Sequence, residues 1–283
     1  MSSGKLYLVG TPIGNLEDMT FRAIKTLNQV DLIAAEDTRH TGKLLQHFQI
    51  KTPQISYHDH SHQSRLETLL DYLAQGQDLA LVSDAGMPGI SDPGYELVQA
   101  CLGKQIEVIP IPGVTALITA LVASGLPTDR FIFEGFLPTK GKERRDRLEQ
   151  LATETRTLLF YEAPHRLLET LMDLQLILGK NRSVVTGREL TKFHEEFWYG
   201  NLGEAVDYYQ NTMQPKGEFT LVVAGQSVNE NLPPSESVLK AELIQLIAQG
   251  MSRSQASRHL AELTQLPRRQ LYQLTLNLDV TNP

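Results

Sequence analysis

The stretch 79–98, LALVSDAGMPGISDPGYELV, decides the fold. It opens with four apolar residues, the pattern of a buried strand, and closes with the apolar spacing of a helix. Between them lie Gly86, Gly89 and Gly94, and the pair Asp92–Pro93 predicts the cap and first turn of that helix. A strand, a glycine-rich loop and a helix form the unit from which parallel α/β sheets are built.

The same alternation extends to both sides of this stretch. Strands are predicted at 5–10, 30–36, 54–57, 78–83 and 106–111, with helices at 19–29, 40–48, 64–76 and 94–103. Thr20 is the expected cap of the first helix. Such alternation predicts a mostly parallel sheet with helices on both faces. We therefore expect an N-terminal α/β domain over residues 1–112.

The rest of the chain predicts two further parts. In 113–226 the last strand-like segments are not separated by long helices, so a second α/β domain with a mixed sheet is expected. The polar segment 226–237 contains Pro233–Pro234 and is typical of a linker. Three helical segments follow, and 238–283 is expected to form a small helical extension that resembles a helix-turn-helix.

Composition limits the possible classes of protein. The chain has 283 residues, a net charge of −7 and one cysteine, Cys101. An intrachain disulfide is therefore excluded, and the apolar helical setting of Cys101 favours a buried thiol in a cytoplasmic protein. No apolar run approaches the roughly 20 residues of a membrane helix, and the N-terminus does not resemble a signal peptide. We expect no membrane association.

Two segments are basic although the chain as a whole has a negative net charge. The segment KGKERRDR at 140–147 has a net charge of +3, and 252–269 also carries +3. The predicted RNA-binding residues within them are Lys140, Lys142, Arg144, Arg145, Arg253, Arg268 and Arg269. Solvated helix faces would give the same pattern, so both interpretations stay open at this point.

The glycine loop indicates the chemistry of its ligand. The chain has no G-x-G-x-x-G loop after its first strand and no phosphate-binding P-loop. Asp84 and Asp92 would repel a phosphate, whereas carboxylates accept hydrogen bonds from ribose hydroxyls and ammonium groups. S-adenosylmethionine carries both groups. The alternative is a Gly-Pro turn with two capping aspartates.

Three more predicted strand ends carry polar side chains. They contain Thr115 in 110–116, Glu36 and Asp37 in 34–40, and Tyr161 and Glu162 in 160–171. Because ligands bind at the carboxyl ends of strands in open α/β sheets, these residues are candidates for a site. Helix caps and ion pairs are the alternative at each place.

A histidine-rich segment, YHDHSHQSR at 57–65, raises the possibility of a metal site. His58, His60 and His62 would share one face of an extended segment. Since neither cysteine nor a separate ligand cluster accompanies them, we expect no metal. A solvated loop or a contact surface for RNA is the preferred interpretation.

Several strings together resemble one family. They are LYLVGTPIGNLEDMTFRA at 6–23, AAEDTR at 34–39, LVSDAGMPGISDPGYELV at 81–98, FYEAPHRLLETL at 160–171 and GEFTLVVAG at 217–225. This pattern resembles the ribosomal RNA small subunit methyltransferase I family of the tetrapyrrole methylase superfamily. GISDPG and EAPHR are its specific strings. The resemblance covers roughly residues 5–225, with a weaker similarity in the C-terminal helices.

The resemblance implies two α/β domains with S-adenosylmethionine in the cleft between them, in a homodimer. The implied reaction is methylation of a ribose 2′-hydroxyl on a cytidine in the decoding region of 16S rRNA. The implied cofactor-binding residues are Pro12, Asp84, Ala85, Gly86, Met87, Gly89, Ile90, Gly113, Val114, Thr115, Ala116 and Tyr161. Met87 stands where the family usually has threonine, and HDHS at 58–61 stands where it usually has HEHN.

The catalytic base stays open at this point. Methyl transfer mainly requires alignment of donor and acceptor, and a positioned base assists a weakly nucleophilic hydroxyl. The candidates are Glu36, Asp37 and Glu162, with Glu189 as a further carboxylate. Two other functions stay open: methylation of a tetrapyrrole or another small molecule, and non-enzymatic RNA binding in ribosome assembly.

Overall fold

The computed structural model describes residues 3–57, 62–226, 236–264 and 266–276. The chain divides into two compact units, Met1–Gln226 and Ser227–Pro283. The first unit contains two five-stranded sheets, and the described residues of the second unit form three helices. The expected domain boundary at 112/113 inside the first unit stays a prediction, and most of the expected linker 226–237 lies outside the described residues.

The first sheet is the predicted parallel one. Its strands are β1 (Leu6–Val9), β2 (Leu32–Ala35), β3 (Gln54–Ser56), β4 (Leu79–Val82) and β5 (Val108–Ile111). They lie in the order β3-β2-β4-β1-β5, and every neighbouring pair is parallel. Its helices are α1 (Phe21–Gln29), α2 (Thr38–His47), α3 (His62–Ala74) and α4 (Tyr95–Gly103).

Helices cover both faces of this sheet, as expected for a parallel sheet. Leu27 of α1 and Leu44 of α2 pack with Val9 and Val82 on one face. Leu73 of α3 and Cys101 of α4 pack in a separate cluster on the other face. Cys101 is fully buried, which confirms the prediction of a core thiol.

The second sheet is mixed, as predicted. Its strands are β6 (Phe131–Gly135), β7 (Thr157–Glu162), β8 (Ser183–Arg188), β9 (Glu196–Asn201) and β10 (Phe219–Val223), in the order β6-β7-β10-β8-β9. Only β6 and β7 pair in parallel. Its helices are α5 (Ala116–Ala123), α6 (Gly141–Leu151), α7 (Leu167–Leu178) and α8 (Leu202–Asn211).

Local capping fixes where several helices begin. The Thr20 hydroxyl accepts a hydrogen bond from the Ala23 amide at 3.1 Å, which confirms the predicted cap of α1. Asn201 and Glu204 form a reciprocal capping box at the start of α8. Such side chains bond backbone amides that the first helical turn leaves without partners.

The second unit contains α9 (Glu236–Ala248), α10 (Arg253–Thr264) and α11 (Arg268–Leu276). Leu243, Leu260 and Leu271 form its fully buried centre, one from each helix. Ser252 caps α10 as predicted, since its hydroxyl accepts from the Gln255 amide at 3.3 Å. The helix-turn-helix interpretation stays a prediction. No helix in the described part of the chain has the length and apolarity needed to span a membrane.

Candidate functional site

A cavity of about 380 Å³, called the first cavity, is lined by residues from the strand ends of both sheets. Its volume falls in the range of small-molecule sites. The lining residues are Ile13, Ala85, Gly86, Met87, Ile90, Ser91, Asp92, Thr115, Ala116, Phe136, Tyr161, Glu162, Ala163, Pro164, Glu218, Phe219 and Thr220. They combine an apolar wall with hydroxyl and carboxylate groups.

The glycine loop after β4 is fixed by backbone pairing. The Thr11 amide donates to the Gly86 carbonyl at 2.9 Å, and the Gly86 amide donates to the Thr11 carbonyl at 3.1 Å. Gly86 and Gly89 have φ values of 85° and 82°, a region that side chains disfavour. Two backbone hydrogen bonds therefore join the loop after β1 to the loop after β4 at Gly86, which lines the first cavity.

The structure corrects the role expected for Asp92. The cap position of α4 is Gly94, and the helix begins at Tyr95, two residues later than the Asp92–Pro93 pattern predicts. Ser91, with φ of 60°, and Gly94, with φ of 145°, carry the loop past Asp92. Asp92 lines the first cavity instead.

Two aromatic rings form part of the cavity wall. The Phe136 and Tyr161 rings pack edge to face with centroids 5.8 Å apart, and Phe133 supports Tyr161 at 4.8 Å. The Tyr161 hydroxyl accepts a hydrogen bond from the Leu117 amide at 3.3 Å. Burial raises the pKa of Tyr161, so this hydroxyl stays neutral at physiological pH.

Glu162, a predicted catalytic residue, lines the first cavity but is held by internal partners. Its side chain is almost fully buried. It accepts hydrogen bonds from the Thr170 hydroxyl and from the Ala163 amide. The Arg166 guanidinium lies 3.6 Å away. These bonds point the carboxylate toward the start of α7 and indicate a structural role.

A second cavity, of about 260 Å³, lies between the ends of β1 and β4 and helix α2. It is lined by Thr11, Pro12, Gly14, Leu16, His40, Thr41, Lys43, Leu44, Ser83 and Asp84. The Thr11–Gly86 pairing contributes one residue to each cavity. The second cavity thus places a carboxylate, an imidazole and an ammonium group next to the first cavity.

The carboxylates of Glu36 and Asp84 support each other's strand ends. The Asp84 amide donates to Glu36 Oε2 at 3.1 Å, and the Asp37 amide donates to Asp84 Oδ1 at 3.2 Å. This arrangement follows from the topology, because β2 and β4 are parallel neighbours whose carboxyl ends lie side by side.

Asp37 is engaged as a cap and in an ion pair. It caps α2 by accepting from the Arg39 amide at 2.8 Å, and the Arg39 guanidinium donates to both of its carboxylate oxygens. These bonds hold the pKa of the Asp37 carboxyl far below its usual range. Such a carboxylate is a weak base, so the alternative interpretation of this motif as a cap fits the geometry.

The structure brings together much of the expected cofactor set. The first cavity is lined by Ala85, Gly86, Met87, Ile90, Thr115, Ala116 and Tyr161. Pro12 and Asp84 line the second cavity, and neither cavity is lined by Gly89, Gly113 or Val114. Sequence reasoning missed Ile13 and Phe136. Phe136 could have been found, since it directly follows β6, which is parallel to β7.

The basic segment of the first unit is only partly available to a ligand. Lys140, Lys142 and Arg145 are exposed at the start of α6. Arg144 is buried and donates to Asp173, Thr170 and the Pro138 carbonyl. The structure therefore removes Arg144 from the predicted RNA-binding surface, because its guanidinium is used inside the fold.

The basic residues of the second unit lie on two helices. Arg268 and Arg269 are exposed in the first turn of α11, and Arg253 is half-buried at the start of α10. Arg268 donates to the Ser254 hydroxyl at 2.8 Å. The three side chains belong to adjacent helix starts within this unit.

The histidine segment at 57–65 lies partly outside the described residues. His58, Asp59 and His60 lie outside the described residues, and nothing is described of the His62 side chain. Among the residues that are described, no group of three or more potential ligands could hold a metal ion.

Comparisons with known proteins identify the family. The model of the family described as "Tetrapyrrole (Corrin/Porphyrin) Methylases" matches residues 5–206. The chain is 64% identical over 277 residues to "Ribosomal RNA small subunit methyltransferase I" of Synechocystis sp., covering 98% of this chain and 99% of that protein. A protein of the same name from Haemophilus influenzae is 47% identical, with 97% of each chain covered. This chain belongs to the ribosomal RNA small subunit methyltransferase I family of tetrapyrrole methylases.

The fold of this methylase is similar to the folds of solved structures. Diphthine synthase matches with a TM-score of 0.63 and 13% identity, over 79% of this chain and 90% of that one. Uroporphyrin-III C-methyl transferase from Thermus thermophilus, complexed with S-adenyl homocysteine, matches with a TM-score of 0.56 and 19% identity. That match covers 78% of this methylase and 97% of the solved chain.

Proposed function

We propose that the protein transfers a methyl group from S-adenosylmethionine to the ribose 2′-hydroxyl of a cytidine in the decoding region of 16S rRNA. The observation that carries this proposal is the near-full-length identity with a protein named ribosomal RNA small subunit methyltransferase I. A tetrapyrrole substrate is disfavoured, because the fold neighbours that act on tetrapyrroles are far less similar in sequence.

The first cavity fits S-adenosylmethionine by its chemistry. None of its lining residues carries a basic side chain, and Asp92, Glu162 and Glu218 are acidic, with Arg166 paired to Glu162 and Lys192 paired to Glu218 from outside the lining. A lining that holds carboxylates and no basic group suits a ligand with ammonium and hydroxyl groups better than one with phosphates. The rings of Phe136 and Tyr161 offer an apolar wall for a flat base. When bound, the cofactor supplies a methyl group activated by its sulfonium.

The backbone of the first cavity also fits a closely bound ligand. Gly86 allows the chain to approach a ligand without a side chain in between, and its left-handed φ sets the loop's direction. Asp92 and Glu218 can accept hydrogen bonds from hydroxyl and ammonium groups.

The second cavity is proposed to receive the target nucleotide. His40 and Lys43 provide donors for a phosphate, and Asp84 provides an acceptor for a ribose hydroxyl. We assign Asp84 to the proton of the 2′-hydroxyl, since Glu162 and Asp37 are engaged elsewhere. Glu36 positions Asp84, because the Glu36 carboxylate accepts a hydrogen bond from the Asp84 backbone amide. This assignment moves Asp84 from the cofactor set to the substrate side.

RNA outside the target nucleotide is proposed to bind the exposed basic residues. Lys140, Lys142 and Arg145 in the first unit would contact phosphates, as would Arg253, Arg268 and Arg269 in the second unit. Such contacts position RNA without reading its sequence and weaken as salt rises. The small ribosomal subunit, or its rRNA, is the proposed partner, and the cytoplasm is the proposed location.

A second copy of the chain is the other proposed partner. On α5, the side chain of Val122 is 71% exposed and that of Ile118 is 43% exposed. The Tyr199 hydroxyl donates a hydrogen bond to the carbonyl of Ala123, the last residue of α5. Exposed apolar residues on one helix face support a contact between subunits. Analytical ultracentrifugation tests the homodimer: Val122→Glu should give a monomer, whereas a monomeric unmodified protein would contradict it.

Calorimetry with S-adenosylmethionine tests the assignment of the two cavities. Asp92→Asn should raise the Kd about tenfold by removing a charge-assisted hydrogen bond. Asp84→Asn should leave the Kd unchanged and lower kcat on rRNA. Asp207→Asn, an exposed change on α8, is the control and should alter neither. Absence of binding by the unmodified protein at millimolar cofactor would refute the proposed function.

A further inference from the structure

The turn between β8 and β9 presents an exposed aromatic side chain. Phe193 is 96% exposed, and its ring meets the ring of His194 edge to face with centroids 5.0 Å apart. Exposure at this level means that the ring contributes almost nothing to a hydrophobic core. The ring is therefore accessible to a partner outside the chain.

The turn that carries this ring is firmly held. Glu189 and Thr191 have φ values of 49° and 66°, in the left-handed region that non-glycine residues disfavour. The Thr191 amide donates to Glu195 Oε2 at 2.6 Å. Lys192 Nζ donates to Glu189 and to Glu218, each at 2.9 Å. Strained backbone held by several bonds is typical of functional turns.

The same turn lies against the lining of both cavities. Glu218, which bonds Lys192, lines the first cavity. The methylene groups of Lys192 occupy the space that a side chain at Gly14 would fill, and Gly14 lines the second cavity. Phe193 follows Lys192 directly in the chain, so the turn that carries its ring adjoins residues that line both cavities.

We propose that Phe193 is a stacking platform for an unpaired base that flanks the methylated nucleotide. This inference rests on the proposed function. A nucleotide must leave its stack to bring its ribose into a cavity, and proteins hold such unstacked bases on exposed aromatic rings. Phe193 offers a ring that is almost fully open to solvent. The turn that carries it is already ordered, so binding costs little conformational entropy.

A second copy of this chain is a less suitable occupant of this surface. Lys192 and Glu195 flank Phe193 in sequence, and both carry charges. Subunit contacts more often use a continuous apolar patch than a single ring between charged neighbours. A base stacks on one ring face and tolerates charged neighbours.

Steady-state methylation of small ribosomal subunits with the full chain tests the proposal. Phe193→Ala and Phe193→Leu should each raise the KM for the RNA substrate about tenfold, because stacking on one ring is lost. Phe193→Trp should keep the KM of the unmodified protein, because tryptophan also offers a ring for stacking. The cofactor Kd should not change in any variant. Leu176→Ala, which removes an 82% exposed side chain from α7, is the control and should behave like the unmodified protein.

The outcomes separate this inference from the proposed function. An unchanged KM for Phe193→Leu, with a methylating unmodified protein, would overturn the stacking role alone. Dissociation of a dimer by Phe193→Ala would also overturn it, by assigning the ring to a subunit contact. A folded, cofactor-binding protein that methylates no RNA would overturn both the proposed function and this inference.

Discussion

Gly10 and Gly113 meet backbone to backbone at the ends of β1 and β5. A Cβ atom added to Gly10 would lie 2.7 Å from the Gly113 Cα, and one added to Gly113 would lie 2.8 Å from the Gly10 Cα. No side chain fits at either position without movement of the backbone. Thr115 and Ala116 follow closely and line the first cavity, so this contact sets one side of the proposed cofactor site.

Gly10→Ala should weaken cofactor binding. The added methyl group has to push the two loops apart, and we expect the Kd for S-adenosylmethionine to rise about tenfold, or ~1.4 kcal/mol. Gly103→Ala is the matched control, because nothing lies within 4 Å of its added Cβ atom. Calorimetry on both variants makes the measurement, and equal affinities would contradict the proposed position of the cofactor.

Arg144→Met should destabilise the protein. Arg144 Nε lies 2.7 Å from Asp173 Oδ2, and loss of the guanidinium would leave Asp173, Thr170 and a carbonyl without this donor. We expect the free energy of unfolding to fall by about 2–3 kcal/mol, since part of Asp173 remains in water.

The neighbouring Arg145→Met is the control for that change. Arg145 is exposed on the same helix, so its unfolding free energy should change by less than about 0.5 kcal/mol. Its affinity for rRNA should fall, with a smaller dependence on salt concentration. Urea unfolding and filter binding measure the two effects. Equal loss of stability in both variants would contradict the buried role of Arg144.

Tyr209 should make stability depend on alkaline pH. Burial raises the pKa of Tyr209 to about 12, and its hydroxyl lies 2.6 Å from the Thr186 hydroxyl. A phenol in the unfolded chain titrates near 10. The neutral form is thus favoured on folding, and its contribution is complete below pH 10 and lost as the pH rises to about 12.

The variant Tyr209→Phe should remove this part of the pH dependence. At pH 8 it should be about 1 kcal/mol less stable, because the bond to Thr186 is lost. Between pH 10 and 12 the unmodified protein should lose about 2 kcal/mol more than the variant. Urea unfolding across this range measures the difference, and parallel curves would exclude a strongly raised pKa.

The order of strands and helices could be predicted because periodicity and caps are local signals. β4 and α1 appear within a residue or two of their predicted positions, since buried strands are uniformly apolar and Thr20 marks a helix start. The start of α4 was wrong by two residues. Asp92 matches the local pattern of a cap, but the positive φ values at Ser91 and Gly94 direct the loop toward the cavity.

The site was harder to predict because its contacts are distant in sequence. The glycine loop was recognised from its own residues, whereas the pairing of Asp84 with Glu36 requires β2 and β4 to be neighbours. Arg144 and Arg145 look alike in sequence, yet only packing against α7 distinguishes a buried guanidinium from an exposed one. Charge patterns predict a surface only when the orientation of the helix is known.

Mapping ribose methylation in small-subunit rRNA tests the central claim most directly. Subunits from cells that lack the protein would be incubated with the purified full chain and S-adenosylmethionine, and 2′-O-methylation would be read at every nucleotide. We predict one new 2′-O-methyl group, on a cytidine of the decoding region, and its loss in Asp84→Asn. An unchanged methylation map, from a protein that binds the cofactor, would contradict the claim.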